Sequence, residues 1–124
     1  MEKCGVRWQK HKTAITFTRA IVVGPTGNET GTKIIKNNIG STIVANKLGL
    51  SGIELYQQQA ALVAQNNIAG IISSSSVFSP VSGIAIFGTS SVNSIKNNSI
   101  SNISMNGLYG ACGILLQSST TTAG

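Results

Sequence analysis

Apolar and polar residues alternate in short runs along this chain, and the clearest runs return at a regular interval. Each run begins with a glycine, and the three runs are Gly52 to Leu55, Gly83 to Ile86 and Gly113 to Leu116. Successive glycines of this set are separated by roughly 30 residues. Because successive side chains of a strand point to opposite faces, each run predicts a strand with one apolar face.

A second marker keeps the same period. Asparagine pairs flanked by aliphatic residues occupy positions 37–38, 66–67 and 97–98, so they also recur at a spacing of roughly 30 residues. Two independent markers with one shared period indicate a repeated structural unit. Helices are disfavoured because apolar residues seldom recur at helical spacing, and the segment from Leu55 to Ala64 is the closest approach to a helix.

The sequence therefore predicts an all-β fold, a right-handed parallel β-helix (solenoid) with about three to four coils of roughly 30 residues. Residues 1–20 form a basic N-terminal head, and residues 21–124 form the repeats. Residues 21–23 supply the strand of an additional coil. The inward residues should be buried and stacked in two columns, and these are Ile53, Ile84 and Ile114, with Leu55, Ile86 and Leu116 beside them.

The asparagine pairs predict a ladder of side chains between coils. Asparagine tolerates left-handed backbone angles at a bend. Its amide can also hydrogen-bond the asparagine of the next coil, about 4.8 Å away. We predict that Asn37, Asn66 and Asn97 form this ladder. The alternative is three unrelated turns that happen to contain asparagine pairs.

The two markers, over about residues 32–118, resemble the right-handed parallel β-helix repeats of the pectin-lyase-like superfamily. The composition of the repeats is similar to that of the Asn-, Ser- and Gly-rich repeats of bacterial secreted surface proteins. Enzymes of this superfamily cleave acidic polysaccharides with acidic residues, and its lyases also use calcium. The resemblance implies residues of that kind. This chain has no aspartate, and its only acids are Glu2, Glu29 and Glu54.

Catalysis and metal binding both need more carboxylates than this. Glycoside hydrolysis uses two carboxyl groups, and calcium takes several oxygen ligands. We therefore predict no catalytic residue, no metal site and no cofactor in this chain. Cys4 and Cys112 lack the CxxC spacing of a metal or redox site and are interpreted as idle thiols.

The net charge of +6 is concentrated at one end. Positions 1–19 contain five lysines and arginines against Glu2, a sum of +4, which leaves only +2 for the rest of the chain. Nucleic-acid-binding domains carry a basic surface, whereas the repeat region of this chain is nearly neutral, so we predict no nucleic-acid partner. The chain contains no apolar run long enough to cross a bilayer, so no membrane span is expected.

Tyr56 and Phe87 follow equivalent apolar pairs and should stack on the outer face. Such a row is either a platform for sugar rings or a shield for the sheet. We predict a non-catalytic structural or binding segment of a larger secreted or cell-surface β-helix protein, with an adhesive or carbohydrate-binding role. Its partners would be neighbouring coils of the parent chain and polysaccharide. The alternative is a fragment of a polysaccharide-active lyase or hydrolase whose catalytic coils are missing.

The period also bears on the C-terminal end of the chain. A further asparagine pair is expected near position 127, just past Gly124. The sequence thus predicts a truncated β-helix with a bare edge. Strand edges without a cap tend to associate, so the segment from Gly113 to Gln117 is expected to stack on other molecules.

Overall fold

The structure is a computed structural model, and it describes residues 19–24, 28–41, 43, 47–73, 80–88 and 92–117. All regular structure in these ranges is β-strand, which confirms the all-β prediction for them. Most of the predicted head, residues 1–18, lies outside the described residues. The strands, in chain order, are β1 (Arg19–Val23), β2 (Glu29–Thr30), β3 (Lys33–Ile35), β4 (Asn38–Gly40), β5 (Ser51–Tyr56), β6 (Gln58–Gln59), β7 (Leu62–Ala64), β8 (Asn67–Ser73), β9 (Val81–Phe87), β10 (Ser94–Lys96), β11 (Ser99–Met105) and β12 (Ala111–Gln117).

Every strand pair is parallel, and strands that are adjacent in a sheet come from successive repeats of the sequence. We call β1–β4 the first repeat, β5–β8 the second and β9–β11 the third, and β12 opens a fourth. The sheets have the strand orders β1-β5-β9-β12, β3-β7-β10, β4-β8-β11 and β2-β6. Parallel neighbours cannot be joined by a tight hairpin. Here the chain visits the other sheets before it returns to the first.

Like residues stack on like residues in the four-stranded sheet. The first column contains Ile21, Ile53, Ile84 and Ile114, and the second contains Val23, Leu55, Ile86 and Leu116. The predicted strand at residues 21–23 lies in β1 and extends the columns by one residue each. Stacking keeps one face of every strand apolar, and this face packs against β8 and β11 to form the core.

The prediction that both columns are buried throughout is wrong at one end. Ile84 and Ile86 are 0% and 5% exposed, whereas Ile114 and Leu116 are 46% and 66% exposed. The reason is their position, because among the described strands β12 is at the edge of its sheet and pairs only with β9. No described strand lies on the far side of β12 to cover Ile114 and Leu116.

The repeated glycine has a steric reason. A Cβ at Gly52 would lie 2.7 Å from the carbonyl oxygen of Gly83 and 2.7 Å from Cγ2 of Ile68. A Cβ at Gly83 would lie 2.8 Å from the oxygen of Gly113 and 2.5 Å from Cγ2 of Ile100. Both positions therefore face the core where the next strand passes too closely for a side chain.

Candidate functional site

The outer face of the four-stranded sheet carries an aromatic pair, Tyr56 and Phe87. The register places Tyr56 beside Phe87 and Phe87 beside Gln117. The ring centroids are 4.9 Å apart and the ring planes differ by 22°, which is a stacked geometry. Both residues are half-buried. The predicted platform residues are therefore brought together, and each offers only part of its ring to solvent.

A buried carboxylate lies beside this aromatic pair. Glu54 is 2% exposed, and its oxygens accept hydrogen bonds from Arg19 Nε at 2.7 Å, Ser51 Oγ at 2.5 Å and Tyr56 Oη at 2.9 Å. Burying a carboxylate is costly unless donors of this kind surround it. We call Glu54 and its three donors the Glu54 cluster.

The Glu54 cluster was not expected from the sequence, where Glu54 stands alone on its strand. Two features of the structure assemble it. The side-chain position of Gly52 points to the core, which leaves Ser51 on the same outer side as Glu54. The register also brings β1 alongside β5, so that Arg19 reaches a carboxylate that is distant in sequence.

The phenol of Tyr56 is held in its neutral form by this site. Burial raises its pKa above the ordinary value of 10.0, and the hydrogen bond to the Glu54 carboxylate and the negative charge of that group raise it further. The charge of Arg19 opposes this shift. Tyr56 therefore remains a hydrogen-bond donor to Glu54 at neutral pH, and the cluster holds β1 against β5.

The asparagine ladder contains Asn37, Asn66 and Asn98. The backbone N–H and Nδ2 of Asn37 donate to Oδ1 of Asn66 at 2.9 and 3.0 Å. The same two groups of Asn66 donate to Oδ1 of Asn98, both at 2.9 Å. Asn66 is 1% exposed and also donates from Nδ2 to the carbonyl oxygen of Ile34 at 2.9 Å.

The prediction of Asn97 as the third member of the ladder is wrong, and Asn98 takes that place. The register pairs Ile100 with Ile68, which aligns Asn98 with Asn66. Asn97 is exposed and has a φ of 54°. The left-handed bend thus precedes the ladder residue in each repeat, where Lys36 and Gln65 have φ values of 59° and 58°.

Gln58 is a second fully buried amide and was not singled out in the sequence. Its Oε1 accepts a hydrogen bond from Thr32 at 2.6 Å, and its Nε2 donates to the carbonyl oxygen of Tyr56 at 3.0 Å. The sequence offered only a run of three glutamines, and nothing in that run marks the buried one. Gln58, like Asn66, links neighbouring repeats.

An open groove lies on the sheet formed by β4, β8 and β11, and its volume is about 410 Å³. Lys47 supplies its cation, and the polar lining includes Ser41, Asn102 and Ser104. Gly70 and Ile72 also line it. This lining can offer a positive charge and hydroxyl and amide hydrogen bonds to a ligand.

Of the two cysteines, Cys112 lies within the described residues. Burial raises the pKa of the Cys112 thiol, which lies 3.7 Å from the carbonyl oxygen of Val81. Cys4 lies outside the described residues.

Within the described ranges, His, Cys, Asp and Glu form no group of three or more that could hold a metal ion. The same part of the chain contains no helix long and apolar enough to cross a membrane.

Comparisons with protein-family models, with curated proteins and with solved structures found no match to this chain.

Proposed function

We propose that this chain is a non-catalytic structural and binding segment of a larger secreted or cell-surface protein, folded as a right-handed parallel β-helix of the pectin-lyase-like type. The observation that supports the proposal is that buried polar groups form hydrogen bonds between repeats. Glu54 and Asn66 are almost fully buried, and their hydrogen bonds join one repeat to the next. Groups engaged in this way stabilise a stack of coils.

The surface supports a binding role toward polysaccharide. Aromatic side chains can contact the apolar faces of sugar rings, and the stacked Tyr56 and Phe87 are both partly exposed. The groove around Lys47 adds a cation and hydroxyl groups that suit the carboxylate and hydroxyl groups of a uronate polymer. We propose an acidic polysaccharide as the ligand of the groove.

We expect the purified chain to bind polygalacturonate without cleaving it. Affinity electrophoresis in gels containing the polymer measures binding, and the ultraviolet absorbance of unsaturated products, with a reducing-sugar assay, measures cleavage with and without calcium. Lys47→Ala should weaken binding about fivefold, the effect of one surface charge contact. Phe87→Leu tests the aromatic pair in the same gels.

Lys33→Ala is the matched control, because Lys33 is an exposed lysine that lies in β3, on a different sheet from the groove. It should retain binding. Equal weakening by the two lysine variants would place binding outside the groove. Release of products by the purified chain would contradict the non-catalytic role.

A further inference from the structure

The chain contains a single Asn-Gly pair, Asn106 and Gly107, which lies between β11 and β12. An asparagine followed by glycine is chemically reactive. The backbone nitrogen of the second residue can attack the side-chain amide carbon of the first, and glycine has no side chain to hinder the approach. Both residues are exposed and lie outside the strands. The pair therefore combines a reactive sequence with a position open to water.

The attacking nitrogen is also free within the described part of the chain. The backbone N–H of Asn106 donates to the carbonyl oxygen of Ser73 at 3.1 Å. The N–H of Gly107, by contrast, donates to no backbone group among the described residues. One hydrogen bond thus holds the backbone of the asparagine, and the nitrogen that follows it is available for attack.

Two Asn-Ser pairs in the third repeat have the opposite arrangement. Serine is also small, so Asn93 with Ser94 and Asn98 with Ser99 are the next candidates by sequence. The backbone N–H groups of both serines donate to carbonyl oxygens of the second repeat, at 2.8 and 2.9 Å. The side-chain amides of both asparagines also donate to carbonyl oxygens of that repeat, at 3.2 and 2.9 Å. The stacking of the repeats therefore protects these two pairs.

We propose that Asn106 is a site of spontaneous deamidation. The nitrogen of Gly107 forms a bond to Cγ of Asn106, and the bond from Cγ to Nδ2 breaks. Nδ2 leaves as ammonia, with the proton that the Gly107 nitrogen loses. Water then opens the cyclic imide at either of its two carbonyl carbons. The products are aspartate and isoaspartate, and each carries a carboxylate where the chain had a neutral amide.

The new carboxylate affects the groove on the sheet of β4, β8 and β11. Asn106 is two residues after Ser104, which lines the groove, and Lys47 is the cation of the described lining. A negative charge close to this lining opposes the attraction between Lys47 and an acidic polysaccharide. This consequence rests on the proposed function, whereas the deamidation itself does not.

Peptide mapping by mass spectrometry tests the site. The purified chain is incubated at mildly alkaline pH, which favours loss of the proton from the attacking nitrogen, and is sampled over several weeks. Asn106 should convert about tenfold faster than Asn93 and Asn98, because its attacking nitrogen is unhindered and has no hydrogen bond to break. Gly107→Ala should slow the conversion about tenfold, since the added methyl group hinders the attack.

A synthetic peptide with the sequence of residues 103–110 gives the rate for an unrestrained chain. The proposal is overturned if the folded chain stays unmodified while the peptide converts. Conversion of Asn93 or Asn98 as fast as that of Asn106 would overturn it as well. So would an unchanged rate in the Gly107→Ala chain, because the cyclic imide could not then be the intermediate.

Asn106→Asp tests the consequence for the groove in the polygalacturonate gels. It should weaken binding about twofold, the effect of one screened surface charge. Asn28→Asp is the matched control and should retain binding, since Asn28 is also exposed but precedes β2, on a different sheet from the groove. Equal binding by the two variants would overturn the effect on the groove. A wild-type chain that does not bind the polymer would overturn the proposed function, while peptide mapping decides the deamidation site separately.

Discussion

Gly83→Ala is expected to lower the free energy of unfolding by about 1–3 kcal/mol, the usual cost of overpacking a core. The new methyl group would lie 2.5 Å from Cγ2 of Ile100 and 2.8 Å from the carbonyl oxygen of Gly113. The isoleucine can turn away, but a backbone carbonyl in a parallel sheet can move only with its strand. Urea denaturation followed by circular dichroism measures the effect.

Gly113→Ala is the control, and it should act in the opposite direction. Gly113 holds the same place in its repeat, but a Cβ there would meet no atom within 4 Å. Alanine at this position should stabilise the chain by up to about 1 kcal/mol, because it restricts the unfolded chain. Equal effects of the two substitutions would contradict the stacked arrangement, since only a strand stacked beyond Gly83 distinguishes the sites.

Asn66→Ala is expected to lower the free energy of unfolding by about 2–3 kcal/mol, because it leaves partners without hydrogen bonds. The backbone N–H and Nδ2 of Asn37 lose their shared acceptor, and the carbonyl oxygen of Ile34 loses a donor. On the other side, Oδ1 of Asn98 loses one of its two donors. The side chain is 1% exposed, so water cannot easily replace it.

Asn106→Ala serves as the control for the ladder. Asn106 is exposed, and its backbone N–H donates a hydrogen bond to the carbonyl oxygen of Ser73 at 3.1 Å. The substitution leaves this backbone hydrogen bond in place. This substitution should change stability by less than about 0.5 kcal/mol. Similar losses of stability in the two variants would mean that the asparagine ladder does not stabilise the stack.

The period of the sequence predicted which strands become neighbours. A constant period with an apolar pair in each repeat leaves little freedom, because shifting one strand by a residue would turn its apolar face outward. The columns through Ile53 and Leu55 follow from this constraint. The parallel direction follows as well, since repeats of one polarity stack on one another.

The same period could not identify Asn98. The pairs of asparagines look alike in sequence, but the register depends on the inward aliphatic residue that follows. Ile68 is two residues after Asn66, and Ile100 is two residues after Asn98. An extra residue, Ser99, separates the third pair from its isoleucine. Alignment on the isoleucines rather than on the asparagines would have found the correct residue.

The Glu54 cluster and the exposure of β12 could not be predicted from the sequence, for a different reason. Ser51 and Glu54 are three residues apart, which in a regular strand places them on opposite faces. They meet because the side-chain positions of Gly52 and Ile53 both face the core, and no periodicity shows such a break in alternation. Likewise, Leu116 has the pattern of a core residue, and its exposure depends on what lies beside β12.

The central claim is that the repeats stack in parallel and in register, and methyl NOE spectroscopy tests it most directly. In a deuterated chain with labelled isoleucine methyl groups, strong cross-peaks should join Ile21 to Ile53, Ile53 to Ile84 and Ile84 to Ile114, because adjacent strands are about 4.8 Å apart. Cross-peaks from Ile53 to Ile114, two strands away, should be much weaker. Strong cross-peaks from Ile53 only to residues near it in sequence, with none to Ile84, would contradict the stacked arrangement.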